Sequence, residues 1–211
     1  AKLVCASNAN NVLTDFINTG VYDKNRDFYT TTSPSMDILI SSNLERMLYH
    51  LYGNDAKATL ELQKQLADKG RFEVSGDVLA DLKDLYFGGC CDDKGTLDTI
   101  KDVYSKYGYL LDTHTAVAVS VQREYEEKTG DKRPYVIAST ASPYKFSASV
   151  LKAVAPEKCS DDEFGMVDAL HEVTGVPVPA PISGLKGAEV RFKNVCESGE
   201  MESFVLRSLG L

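Results

Sequence analysis

Four small residues, Ser139-Thr140-Ala141-Ser142, follow the apolar run Tyr135-Val136-Ile137-Ala138 and precede Pro143. Small hydroxyls just past a strand let a flat ligand approach the backbone closely, and the helix start beyond them offers N–H donors to an anion. Ser7-Asn8-Ala9-Asn10-Asn11 stands in the same position after the strand-like stretch at residues 2–7. A plainer reading fits as well: Ser142 is a good helix N-cap, Pro143 suits the first helical position, and Thr140 is an ordinary turn residue. His114 sits between two threonines at the mouth of an apolar helix. A helix N-terminus disfavours imidazolium, so a neutral ring able to donate or accept is expected there, in a structural role or a catalytic one.

Two lysines stand beside aromatics, in Tyr144-Lys145-Phe146 and Phe192-Lys193-Asn194. Neither has a neighbouring base or phosphate cradle that would make it a covalent site. The five cysteines (Cys5, Cys90, Cys91, Cys159, Cys196) form no C-x-x-C pair, and the three histidines (His50, His114, His171) are widely separated. Reduced thiols and no metal site are expected. A net charge of −8 over 211 residues argues against nucleic acid or an anionic membrane as the main partner. No apolar stretch approaches the ~20 residues of a membrane span. No signal peptide opens the chain, and a cytoplasmic location is expected.

These residues need elements to hold them. A strand at residues 2–7 is followed by a helix over 12–18, stopped by Gly20, and a polar loop over 21–36. Ser42 and Glu45 read as a capping box for a helix with Leu44, Met47, Leu48 and Leu51 on one face, ended by Gly53. A further helix runs over 56–69 to Gly70, and "GDVLADLKDLYFGG" reads as another, with Val78, Leu82 and Leu85 in phase. Thr96 reads as the N-cap of a helix carrying Leu97, Ile100, Val103, Tyr104 and Tyr107 to a stop at Gly108. "DTHTAVAVSVQREYEEKTG" predicts a helix from Asp112 to Gly130 whose first half buries more than one face.

A strand is expected at 135–139. Ser142 and Pro143 then open a helix with Phe146, Val150, Leu151 and Val154 inward, stopped by Pro156. Ser160 and Glu163 read as a second capping box. "VPVPAPISGLKG" reads as an extended strap, followed by a strand-like piece and a closing helix. Helices that start directly after strands imply an α/β layered architecture. The strands are too few for a complete doubly wound sheet, so residues 1–211 are expected to be a partial layered sheet cut from something longer, with no internal boundary.

"ASNANNVLTDFINTGVY", "SPSMDILISSNLERMLY", "LLDTHTAVAV" and "VIASTASPYKF", in that order and followed by "PVPAPISGLKGAEVRF", resemble the C-terminal part of threonine synthase over essentially the whole chain. The resemblance implies the C-terminal part of a fold-type II, tryptophan-synthase-β-like pyridoxal 5'-phosphate enzyme. Its members are carbon-oxygen lyases acting on phosphates, which convert O-phosphohomoserine and water to threonine and phosphate in threonine biosynthesis. The family's Schiff-base lysine, in an early Phe-Lys-Asp motif, and its glycine-rich phosphate loop both precede the matched region. No catalytic lysine is therefore expected here. The piece alone should be inactive, should not hold the cofactor stably, and has the N-terminal part of the same enzyme as its partner.

By the same resemblance Thr140 matches the threonine that faces the pyridine nitrogen. A hydroxyl there leaves that nitrogen largely unprotonated and tempers the electron sink. Ser142 and Thr113 depart from the pattern, since many relatives have histidine and proline there. His114 falls in a Pro-His-Thr-Ala-like segment, and Asn8 and Asn11 in an Asn-x-Asn-Asp-like one, with Asn11 where others have aspartate. Asn43 and Arg46 match a polar pair, and an arginine suits a substrate phosphate as a bidentate partner. Two other readings stand beside this one: a non-catalytic α/β ligand-binding or interaction module descended from such an enzyme, and an unrelated flavodoxin-like enzyme. The last needs a Gly-rich phosphate loop, of which "STASP" is a poor version.

Overall fold

The computed structural model describes residues 1–211, which divide into two compact units, residues 1–178 and 179–211. In the first unit, strand β1 (Leu3–Ser7) leads to helix α1 (Val12–Thr19) and a short strand β2 (Val21–Asp23). Helices α2 (Leu44–Leu51) and α3 (Ala56–Lys69) follow, then β3 (Arg71–Glu73), α4 (Gly76–Leu85) and β4 (Tyr86–Cys90). Helices α5 (Asp93–Tyr107), α6 (Thr113–Thr129), α7 (Ser147–Val154) and α8 (Glu163–Thr174) complete it. β1 and β4 pair in parallel, with Ser7 opposite Cys90, while β2 and β3 pair antiparallel, with Tyr22 opposite Phe72. The expected α/β layering is present.

Gly88 and Gly89 make the layers possible. A Cβ on Gly88 would lie 3.1 Å from the Thr14 carbonyl oxygen of α1, and one on Gly89 would lie 2.6 Å from Val121 Cγ1 of α6. Two helices therefore close on β4 from opposite faces because the strand has no side chains there. On the α1 side, Phe16, Tyr22 and Phe72 form a buried aromatic cluster, with Phe16 edge-on to Tyr22 and Phe72 at 5.9 and 5.7 Å. On the other side Val117, Val121 and Cys91 pack beneath Val4, Ala6 and Phe87.

Helix ends follow the glycines. Gly20, Gly70, Gly108, Gly130 and Gly175 each take left-handed backbone and close a helix. Helix starts differ from the sequence expectation at three places. Asn43, not Ser42, precedes α2, and the Ser42–Glu45 capping box does not form. Asp92 rather than Thr96 caps α5, with the Thr96 hydroxyl turned back onto the Asp92 carbonyl oxygen at 2.8 Å. Asp162 rather than Ser160 caps α8. At α5 and α8 an aspartate in the same turn holds the extended position and caps instead, whereas Asn43 already has helical backbone and makes no side-chain cap bond. "YFGG" is strand rather than helix, and β2 and β3 arise where a loop and a helix end were expected.

The predicted strand at 135–139 is not one. The segment has no ladder partner, and its side chains alternate: Tyr135 and Ile137 are half-buried, while Val136 is 99% exposed. β1 is paired on one edge only, and a cleft of about 580 Å³ lies between it, α6 and residues 134–138. The second unit contains a short helix α9 (Ala180–Ser183), a 3₁₀ turn (Ser198–Glu200) and the expected closing helix α10 (Met201–Leu209). The strap is thus partly helical, and no strand forms near residue 190. No helix is long and apolar enough to cross a membrane.

The Asp55 carboxylate accepts the Lys57 and Ala58 N–H groups at 2.8 and 3.1 Å and opens α3. Asp55→Ala should lower stability by about 1 kcal/mol. In urea titration the midpoint should fall with an unchanged slope, and Asp55→Asn, which can still accept both N–H groups, should recover most of the loss.

Candidate functional site

The carboxyl ends of β1 and β4 meet the N-termini of α5 and α6 in one polar network. Ser7 ends β1, and its carbonyl oxygen accepts the Cys91 N–H at 2.9 Å. Asn8, 1% exposed, donates its amide to Thr31 Oγ1 at 2.8 Å and to Asp37 Oδ1 at 2.7 Å, while its Oδ1 accepts the Asn10 N–H at 2.9 Å. Asn10 reaches the Tyr29 carbonyl oxygen at 2.8 Å and accepts the Tyr29 N–H at 2.9 Å. Asp37 also accepts the Thr31 N–H at 3.0 Å. The 29–37 loop is thereby moulded around two buried asparagines. Thr32 ties it to α5 through Asp93, whose Oδ1 accepts both the N–H and the hydroxyl at 3.0 Å.

The same loop meets α6. Ser35 donates its backbone N–H to His114 Nε2 at 3.0 Å. His114 is 9% exposed, and its ring centroid lies 4.7 Å from that of Phe146. Asp112, 1% exposed, caps the helix by accepting the N–H groups of His114 and Thr115 at 2.8 and 3.2 Å. The Thr115 hydroxyl donates to Asp112 Oδ2 in a short bond. Thr115 has one hydroxyl proton and the carboxylate only accepts, so the 3.0 Å contact between the hydroxyls of Thr115 and Ser139 is made by the proton of Ser139. The 139–142 segment is thus fastened to the start of α6. A cleft of about 530 Å³ opens beside this junction, walled by Val103, Leu111, Thr115, Ile137 and Ser139.

Among the residues singled out from sequence, Asn8 and His114 lie inside this network. Thr140 follows Ser139 directly; it is exposed, and its hydroxyl bonds to nothing in the chain. It does not end a buried strand. Asn11 precedes α1, and its Oδ1 accepts from Arg26 at 3.1 Å while its side chain also reaches the Cys90 thiol. Burial pushes that thiol up, and the Glu124 and Asp15 carboxylates add to the effect, so it is not a ready thiolate. Asn43 and Arg46 stand apart from the network. Asn43 lines a small hollow with Leu13, Met47 and Tyr86, and Arg46 a cleft between α2 and α3 with Tyr49, His50 and Leu60.

Ser142 caps the 3₁₀ turn Pro143–Phe146, as its type and position predict, by accepting the Tyr144 N–H at 3.3 Å. Lys145 lies over the Phe146 ring at 5.6 Å. Asn10 was marked from sequence only as part of the Ser7–Asn11 stretch, and Asp37 and Asp93 were not singled out. The only signal was the density of short polar residues in the 29–37 loop.

Residues 115–205 match the family described as threonine synthase, C-terminal. Human threonine synthase-like 1 is 36% identical over 83% of this chain and 23% of that protein. Threonine synthase of Pseudomonas aeruginosa is 37% identical over 72% of this chain and 32% of that protein. The chain thus spans about a quarter to a third of these relatives. Among solved structures, yeast threonine synthase superposes with a TM-score of 0.82 at 27% identity, over 99% of this chain and 42% of that one. The pyridoxal-phosphate-bound threonine synthase of Brucella melitensis superposes with a TM-score of 0.69 at 37% identity, over 79% of this chain and 35% of that one. The family match covers residues 115–205, the cited relatives 72–83% of the chain and the yeast structure 99% of it; taken together, the chain is a threonine synthase-related C-terminal region.

Proposed function

We propose that the chain forms one wall of the active site of a pyridoxal-phosphate threonine synthase, which converts O-phosphohomoserine and water to threonine and phosphate. The observation that carries this is the exposed, unpartnered hydroxyl of Thr140 on a segment that Ser139 and Thr115 fasten to the α6 N-terminus. The residues fit part of the cofactor. A free hydroxyl on a fixed lip suits the edge of a pyridine ring, but residues 139–146 contain no glycine to cradle a phosphate, and the exposed Lys145 has no neighbouring base.

The bound cofactor supplies the electron sink for chemistry at the substrate carbons. Thr140 would face the ring nitrogen with a neutral hydrogen bond, which would leave that nitrogen largely unprotonated. Asp112, Thr115 and Ser139 hold Thr140 in place. Asn8 and His114 keep the 29–37 loop beside it, and Asn11 borders the wall next to Cys90. Asn43 and Arg46, on another face of the unit, are not assigned to this wall. The single-edged β1 and the cleft facing residues 134–138 support a chain that works as part of a larger sheet.

The test compares this chain with a complete polypeptide that also carries the Phe-Lys-Asp motif. With pyridoxal phosphate and O-phosphohomoserine, the 211 residues alone should release no phosphate above background, and the complete polypeptide should release phosphate and threonine in equal amounts. Steady turnover by the 211 residues would overturn the one-wall reading. A complete polypeptide that binds but does not turn over would point to the non-catalytic module.

In the complete polypeptide, Thr140→Val should weaken cofactor binding by the worth of one neutral hydrogen bond, about 0.5–1.5 kcal/mol. Thr140→Asp should hold the ring nitrogen protonated, shift the absorption spectrum with substrate to longer wavelength and divert turnover into side products. Wild-type spectra and rates in both variants would move the cofactor away from Thr140.

A further inference from the structure

A backbone N–H can only donate, so the 3.0 Å bond from Ser35 fixes His114 Nε2 as an acceptor with its lone pair free of a proton. The proton of the neutral ring must then sit on Nδ1. That nitrogen faces Asp112 Oδ1 at 3.3 Å and Thr113 Oγ1 at 3.4 Å, both able to accept it. The Phe146 ring packs tilted against the imidazole, with centroids 4.7 Å apart. Both nitrogens are therefore committed, one to the loop and one to the helix cap.

We infer that His114 is a positioning residue: a neutral, Nδ1-protonated imidazole that clamps the 29–37 loop to the first turn of α6. Both nitrogens have partners, so the ring is held from the loop at one end and from the helix cap at the other. The consequence for the loop is large relative to one bond. Ser35 lies between Ser33 and Asp37, both held by Asn8, so His114 and Asn8 grip the same short stretch. An imidazolium would set a second N–H against that of Ser35 and open the clamp. The charged groups around the ring are the Asp112 carboxylate at Nδ1 and the Lys145 ammonium beyond Phe146, with Asp37 two residues along the loop from Ser35. The inference deepens the proposed active-site wall, but its readout needs no cofactor, so it can fail or hold separately from that reading.

Long-range proton–nitrogen correlation on ¹⁵N-labelled protein should give His114 a pyrrole-type Nδ1 and a pyridine-type Nε2 at neutral pH. A proton on Nε2 would overturn the inference. Amide exchange then tests the clamp. His114→Ala should speed exchange at Ser35 at least tenfold while Leu62 and Leu66 of α3 keep their protection. His114→Gln, whose Oε1 can accept from Ser35, should recover most of the lost protection. Unchanged exchange at Ser35 in the alanine variant would overturn the clamp. So would a glutamine variant that behaves like alanine, or one that loses protection in α3 as well.

Discussion

Phe16→Ala should lower the free energy of unfolding by about 3–5 kcal/mol, among the largest losses available to a single substitution in this chain. Phe16 is fully buried, and it is the one ring that touches both other members of its cluster edge-on, while Tyr22 and Phe72 stack on each other at 5.2 Å. Its removal leaves a cavity where α1 rests on β2 and β3. The neighbours cannot collapse into it, because Tyr22 is held at its far end by bonds to Leu39 and Ser41. Guanidinium unfolding should show the midpoint falling steeply. Phe16→Leu, which refills most of the volume, should lose well under half as much. A loss below about 1 kcal/mol in the alanine variant would mean that the layer on the α1 side is not the main core.

Asp112→Ala should cost roughly 2–4 kcal/mol, combining a lost helix cap with buried donors left unpaired. Asp55 offers the comparison. Both carboxylates cap a helix through two N–H groups, but Asp55 is exposed and water can replace it, whereas Asp112 is 1% exposed and water cannot reach its partners. The loss should also be visible at a distance. Without the carboxylate the Thr115 hydroxyl proton is free, the bond to Ser139 loses its fixed direction, and amides at 139–142 should exchange faster. Asp112→Asn, which can still accept both N–H groups, should fall between wild type and alanine in stability. Equal losses for the Asp55 and Asp112 alanine variants would show that burial adds nothing at the α6 cap.

The helices were legible because their stops are written in one residue type. A left-handed turn suits glycine, so Gly20, Gly70, Gly108, Gly130 and Gly175 announced the ends almost to the residue. Starts were less legible, because several side chains within one turn can cap. Which one takes the extended backbone is settled by packing, as Asp92 over Thr96 and Asp162 over Ser160 illustrate. β4 was hidden for a different reason: "YFGG" after a helix resembles a glycine stop, and only its parallel pairing with the distant β1 makes it a strand.

Residues 135–139 carried the reverse error. Their apolar run has the composition of a strand, but composition does not supply a ladder partner, and Val136 lies bare. At the site, His114 and Asn8 could be picked out by type and place. Asp37 could not, and Asn10 was marked only as part of its stretch, since their roles exist only once the 29–37 loop has folded back on β1.

The two glycines of β4 also say something about how freely this chain can change. Every alternative to glycine brings at least a Cβ. At position 88 that carbon would press on backbone atoms of α1, which cannot swing aside as a side chain can. At position 89 it would press on Val121, a fully buried branched side chain with little room to turn. Most surface positions have many neutral neighbours in sequence space, but these two have almost none. Drift past them would require compensating changes in α1 or α6 at the same time, and α6 is the helix whose first turn carries His114 and is capped by Asp112. A short, featureless pair of residues thus ties the evolutionary freedom of the packing layer to that of the site.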